Sequence, residues 1–169
     1  MADGRDGRGS TIREGILAGF LSATVIAVWL FIVDVIARHP LFTPRILGKG
    51  LVSILGIRMA DTTSLYVAAY TVFHYAAFAV IGILLATIVH AARRTPAILA
   101  GFLMMFIAFE FGFYGLAAML SVNSDLKSLA WYQIMAANLL AAVVMFYFMW
   151  VRHPELKGEF SDALGGTDA

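Results

Sequence analysis

The stretch GILAGFLSATVIAVWLFIVDVIA, residues 15–37, decides the fold, because Asp34 is its only charged residue. A helix needs about 20 predominantly apolar residues to cross a hydrocarbon core about 30 Å thick. The stretch is therefore long enough to span a membrane. A secretory signal peptide has a shorter apolar run followed by a small-residue cleavage site, and neither feature is found here. We interpret the stretch as a retained membrane anchor.

The whole chain has the composition of a membrane protein. Of its 169 residues, 61% are hydrophobic and only 14% are charged, and the mean hydropathy is +0.84. A soluble domain has about 25% charged residues. The net charge is +1 and the sequence has no basic patch, so we expect no nucleic-acid partner. The chain contains no cysteine, which excludes disulfides and thiolate metal sites.

Three further stretches resemble the first in length and composition. The four predicted spans cover residues 15–37, 65–89, 97–122 and 129–151. Their length is typical of helices, because a barrel strand needs only about 9–11 residues to cross a membrane. The predicted fold class is an all-α integral membrane protein, with four transmembrane helices in an antiparallel bundle and the lipid bilayer around it.

The predicted transmembrane domain covers residues 11–151. We expect a disordered tail over residues 1–10 and a polar C-terminal tail over residues 152–169, because both ends are rich in Gly and Asp and poor in apolar residues. The pattern TIRE offers Thr11 as an N-cap and Glu14 three residues later. This pattern predicts a capping box at the start of the first span.

The long connection after the first span predicts a short amphipathic helix at about residues 44–55. Leu47, Leu51 and Leu55 form its apolar stripe, and Pro44 suits its first turn. Such a helix lies in the membrane interface. It is interpreted as a surface anchor or a subunit contact, or alternatively as a lid.

An even number of spans places both termini on the same side of the membrane. With both termini in the cytoplasm, seven Lys and Arg residues lie inside and five lie outside. Cytoplasmic loops carry an excess of Lys and Arg. We therefore predict a multi-pass protein of a bacterial-type inner membrane with cytoplasmic termini.

Small residues recur at four-residue spacing and predict close contacts between helices. Lipid provides no hydrophobic drive for helix association, so small residues that let backbones approach closely mark helix interfaces. The same faces predict contacts with other membrane subunits or with a second copy of the chain. The predicted packing residues are Gly15, Gly19, Ala23, Gly101 and Gly112.

Three spans place a polar residue at the same predicted depth. Glu110, His74 and Asn138 each lie about 10 residues from a span end on one membrane face, which corresponds to a depth of about 15 Å. Asp34 lies on the same side, closer to the surface. A charged residue at the centre of a span costs about 2.5–3.5 kcal/mol on insertion scales. We therefore predict a buried polar cluster of these four residues, in which His74 and Asn138 share hydrogen bonds with Glu110.

Tyrosines extend this predicted cluster into a polar track. Tyr66 and Tyr70 precede His74 at four-residue spacing on one helix face, and Tyr114 stands one turn from Glu110. The track leads from the membrane surface to the midplane. Alternatively, Tyr66 belongs to the interfacial aromatic belt.

The sequence contains no recognisable catalytic motif, so it identifies no catalytic residue, and we predict no metal ligand set. The leading prediction is an accessory, assembly or scaffolding subunit of a larger membrane complex. The alternative is a proton- or ion-coupled transport or relay protein that uses Glu110, His74 and Asp34, because ionisable residues inside a membrane mark functional sites. A third reading is an enzyme or binding protein for a lipid-soluble molecule such as a quinone. No cofactor is predicted; haem or a metal at Glu110 and His74 is the alternative.

Overall fold

The computed structural model describes residues 3–58, 60–91 and 131–153, together with the positions named at the end of this paragraph. All regular structure within this part of the chain is helical. The helices are α1 (Asp3–Ile36), α2 (Phe42–Ile54), α3 (Thr63–Ala91) and α4 (Trp131–Arg152). The further described positions, all helical, are Met104, Ile107, Ala108, Glu110, Phe111, Gly112 and Gly115.

Three helices are long and apolar enough to cross a membrane. The candidate segments are Ser10–Ile36, Thr63–His90 and Tyr132–Arg152. The all-helical prediction and the membrane-compatible composition of these helices are therefore confirmed. The remaining predicted span, residues 97–122, lies mostly outside the described residues.

The first helix extends further towards the N-terminus than the sequence predicts. It begins at Asp3, so residues 3–10 are helical where a disordered tail was expected. Thr11 consequently lies inside the helix and is not its N-cap. Once a helix is nucleated, each added residue gains a backbone hydrogen bond, so a polar segment can prolong it without burying apolar surface.

Helix α1 runs antiparallel to both α3 and α4. As residue numbers increase along α1, the numbers of the residues that it contacts decrease along both α3 and α4. Helices α3 and α4 therefore run in the same direction. The contacts that establish this order, with the α1 residue first, are Gly15 with Ile83, Ala23 with His74, Ser22 with Ala141 and Trp29 with Gln133.

The backbones of α1 and α3 meet at glycines. A Cβ atom added at Gly15 would overlap the backbone of Ile83, and one added at Gly19 would overlap the carbonyl group of Phe78. On the opposite side of the contact, a Cβ at Gly82 would overlap the carbonyl oxygen of Gly15. Two of the predicted packing glycines therefore lie at the crossing, and Gly82 is a third that the sequence analysis did not identify.

The core between α1, α3 and α4 consists of small residues and of large flexible ones. Alanines allow the helices to approach, and methionines of α4 fill the irregular space that remains, as their flexible side chains permit. Its buried members are Ala18, Ala23, Ile26, Phe78, Leu85, Ala86, Val89, Ala137, Ala141, Met145 and Met149.

Helix α2 packs on the start of α3 through a face that includes Leu47 of the predicted stripe but not Leu55, which lies just beyond the end of the helix. Gly48 lies directly on the backbone of Tyr66, where a Cβ atom would overlap the Tyr66 carbonyl. Leu47 and Val52 are buried, whereas Leu55 is exposed.

We expect Gly19→Ala to lower the free energy of unfolding by about 1–3 kcal/mol, the usual cost of inserting a methyl group into a filled contact. Gly112 was predicted as a packing residue, but it is exposed, and no atom of the described residues lies within 4 Å of a Cβ at that position. Gly112→Ala is therefore the matched control. The control should be neutral or slightly stabilising, since Ala favours a helix more than Gly. Thermal unfolding of both variants in the same detergent makes the comparison. A Gly19→Ala variant that loses no stability would show that the crossing is not tightly packed.

Candidate functional site

His74 links α3 to α1 through Nε2 of its ring, and its Nδ1 faces a neighbour on α3 itself. Nε2 lies 3.0 Å from the carbonyl oxygen of Ala23. A carbonyl oxygen only accepts, so Nε2 carries the proton and donates it. In the neutral ring Nδ1 then accepts from the hydroxyl of Tyr70, at 3.5 Å. His74 is 7% exposed, and its polar atoms are engaged within the helix pair.

Glu110 and Asn138 form a second pair. The Asn138 side-chain nitrogen Nδ2 donates to Glu110 Oε1 at 3.2 Å, and Asn138 is buried. Within the described part of the chain, no hydrogen bond joins Glu110 to His74. The structure thus brings Glu110 to Asn138, as expected, and gives His74 different partners.

Asp34 serves the start of α2 and belongs to neither pair. Its Oδ2 accepts the backbone N–H of Thr43 at 2.9 Å, and its Oδ1 accepts the Thr43 hydroxyl at 2.7 Å. A carboxylate that accepts a first-turn N–H satisfies a donor that the helix itself leaves unpaired, and it suits the positive end of the helix dipole. The 3% exposure of Asp34 is explained by this capping.

The predicted tyrosine track is only partly within the described residues. The Tyr70 hydroxyl lies beside His74, and Tyr66 is buried where α2 crosses α3. Helix α2 therefore covers the end of the track that was expected to open to the surface. Tyr114 and Gly101 lie outside the described residues.

Two cavities flank His74 and Tyr70. The larger, of about 220 Å³, lies among α1, α2, α3 and α4 and reaches Gly112. The smaller, of about 180 Å³, lies between α1, α2 and α3. Apart from His74, Asn138 and a few hydroxyl groups, both walls are apolar. Chemically, these spaces suit a small apolar group.

A third polar group lies at the other end of the helices and was missed by the sequence analysis. Glu14 of α1 stands 3.0 Å from Nε2 of His153, measured from Oε1, and 3.8 Å from Nε2 of His90, measured from Oε2. Glu14 and His153 are 8% and 7% exposed. Glu14 was missed because the capping-box pattern assigned it a role at the start of its own helix. His153 was missed because it lies just beyond the last predicted span. The available signal was that the three residues share one predicted membrane face.

Comparison of the chain with protein-family models, with curated proteins and with solved structures finds no match. The function is therefore inferred from the geometry of the chain's own residues.

The two polar pairs predict which mutations couple. Glu110→Leu and Asn138→Leu should show a coupling of about 0.6 kcal/mol in a double-mutant cycle, the average for hydrogen bonds between membrane helices. Glu110→Leu and His74→Phe should be additive, because His74 bonds to Ala23 and Tyr70. Unfolding in a single detergent measures both cycles. Coupling in the second cycle and none in the first would contradict the observed pairing.

Proposed function

We propose that the chain is a multi-pass membrane protein with four transmembrane helices, with α2 at the interface. The parallel course of α3 and α4 supports this topology. Helix α3 ends beside Glu14, whereas α4 begins beside Trp29, towards the other end of α1. If α1, α3 and α4 cross the bilayer, the chain between α3 and α4 has to cross it once more. The seven-to-five distribution of Lys and Arg supports cytoplasmic termini in a bacterial-type inner membrane.

We infer that the protein acts as a non-catalytic accessory, assembly or scaffolding subunit of a larger membrane complex. One observation supports the non-catalytic part of this proposal: polar side chains of the long apolar helices are engaged between helices of this same chain. Unpaired polar groups are costly in lipid, and these bonds fix the position of one helix against the next. The bonds, donor first, are His74 to Ala23, Ser22 to Ala141, Trp29 to Gln133 and Asn138 to Glu110.

The alternative of a proton or ion relay has weaker support from this geometry. The proton on His74 Nε2 points at the Ala23 carbonyl oxygen, which accepts a hydrogen bond but passes no proton onward. Asp34 has both carboxylate oxygens on Thr43. The same engagement of His74 disfavours it as a ligand of haem or of a metal.

Binding of a small lipid-soluble molecule is a second candidate function, favoured by the cavities beside His74. An apolar cavity of about 150 Å³ is large enough to bind benzene. The larger cavity, of about 220 Å³, therefore has room for one substituted ring, such as a quinone head group. His74 and Asn138 lie in its wall and would orient polar substituents of the ring.

The topology is tested with single cysteines, which can be introduced without background because the chain has none. Cysteines at Asp3 and Gly166 should be shielded from a membrane-impermeant thiol reagent in intact cells, and one at Lys127 should react. Permeabilised cells provide the control for reactivity at all three positions. Opposite labelling of the two termini would contradict an even number of spans.

The subunit role is tested by native mass spectrometry of the full chain purified in a mild detergent. We expect further protein chains at a fixed stoichiometry. Glu110→Gln should leave this assembly and its biological activity unchanged, because glutamine keeps the acceptor for Asn138, whereas Gly19→Leu should disrupt both. A single chain carrying a lipid-soluble molecule would support the second candidate. Loss of activity in a folded, assembled Glu110→Gln variant would favour the relay.

A further inference from the structure

The group formed by Glu14, His90 and His153 joins the N-terminal part of α1 to the C-terminal ends of α3 and α4. The orientation of His90 is set by its Nδ1 atom, which lies 2.8 Å from the carbonyl oxygen of Ala86. Because a carbonyl only accepts, Nδ1 carries the proton in neutral His90. The lone pair of Nε2 then faces Glu14 Oε2 at 3.8 Å. The Nε2 lone pair and the carboxylate oxygen are both electron-rich and repel each other, so a cation between them would stabilise this arrangement.

We propose that Glu14, His90 and His153 bind a divalent transition-metal ion. One ligand atom from each residue lies within 4.8 Å of the other two. Tetrahedral Zn²⁺ with metal–ligand bonds of about 2.0–2.2 Å places its ligand atoms about 3.3–3.6 Å apart. The separations of 3.0 and 3.8 Å from the carboxylate oxygens to the imidazole nitrogens lie on either side of this range. Small side-chain rotations would close the site around an ion.

The chemistry of the three ligands selects the class of metal. Two imidazoles and one carboxylate suit Zn²⁺ and neighbouring first-row ions, whereas Mg²⁺ and Ca²⁺ prefer sites made of oxygen atoms. The hydrogen bond from His90 Nδ1 to a backbone carbonyl is the outer contact that orients metal-bound histidines. The His90 and His153 rings are 4.9 Å apart at an angle of 87°.

The fold holds these ligands close together. Glu14 immediately precedes Gly15, where the backbones of α1 and α3 meet, so the carboxylate is brought against the last turn of α3. His153 directly follows α4 and is buried. A bound ion would join α1 to the C-terminal ends of α3 and α4 at one point. Three protein ligands also leave a fourth coordination position for water or another ligand.

The test uses the full chain, purified in detergent with a tag that contains no histidine, stripped with a chelator and titrated with Zn²⁺. We expect one equivalent of bound Zn²⁺ per chain by elemental analysis and a higher melting temperature with Zn²⁺ but not with Mg²⁺, because a ligand that binds the folded state stabilises it. Glu14→Gln, His90→Gln and His153→Gln should each weaken binding at least about tenfold, since even outer-shell changes cost 10–100-fold.

The matched control is His39→Gln, which removes an exposed histidine between α1 and α2 and should leave Zn²⁺ binding unchanged. Because a ligand variant can fail to fold, the unmodified chain is also titrated with Co²⁺. Intense visible d–d absorption is expected from a low-coordinate site with nitrogen and oxygen ligands. Absence of stoichiometric Zn²⁺ and Co²⁺ binding by the unmodified chain would overturn the proposal. A loss of Zn²⁺ binding in His39→Gln as large as in the three ligand variants would also overturn the proposal.

Discussion

The contact between the backbones of α1 and α3 at Gly15, Gly19 and Gly82 is the constraint on which the rest of the described structure depends. Apolar helices gain little from associating in lipid unless their surfaces fit closely. Here the fit is close enough that polar side chains reach across to the neighbouring backbone, as His74 does to the Ala23 carbonyl. The same crossing sets Glu14 beside the end of α3. Larger side chains at these glycines would separate the helices and remove both contacts.

Among the described residues, three buried or half-buried carboxylates have three different environments. Asp34 accepts from a backbone amide and a hydroxyl, and Glu110 accepts from the Asn138 amide. These donors are neutral and carry no chemistry of their own, so both carboxylates are suited to fixing structure. Glu14 instead faces two imidazoles, which are able to take up protons and bind metals. The reactive side chains among the described residues are thus concentrated at one end of the helices.

The features that depend on composition and spacing could be predicted from the sequence, and those that depend on backbone atoms or distant partners could not. Apolar length revealed the helices, and four-residue spacing revealed Gly15 and Gly19. Counting residues gave the common depth of Glu110 and Asn138, but depth does not specify direction around a helix. The hydrogen-bond acceptor of His74 could not be predicted, because it is the backbone carbonyl of Ala23 and every residue has a backbone carbonyl. Gly82 and Ala86 form a small-xxx-small pair that could have marked this face, but it was not among the predicted packing residues.

The bond between Asp34 and Thr43 joins residues only nine positions apart. Short-range contacts close quickly because little chain entropy is lost. During biogenesis, α1 and α2 can therefore form a connected unit as soon as α2 has emerged from the ribosome. The surface on which the beginning of α3 packs is then in place before α3 itself has been synthesised. In this order of assembly, the Asp34 carboxylate fixes the start of α2, and α2 in turn provides the surface on which the beginning of α3 packs.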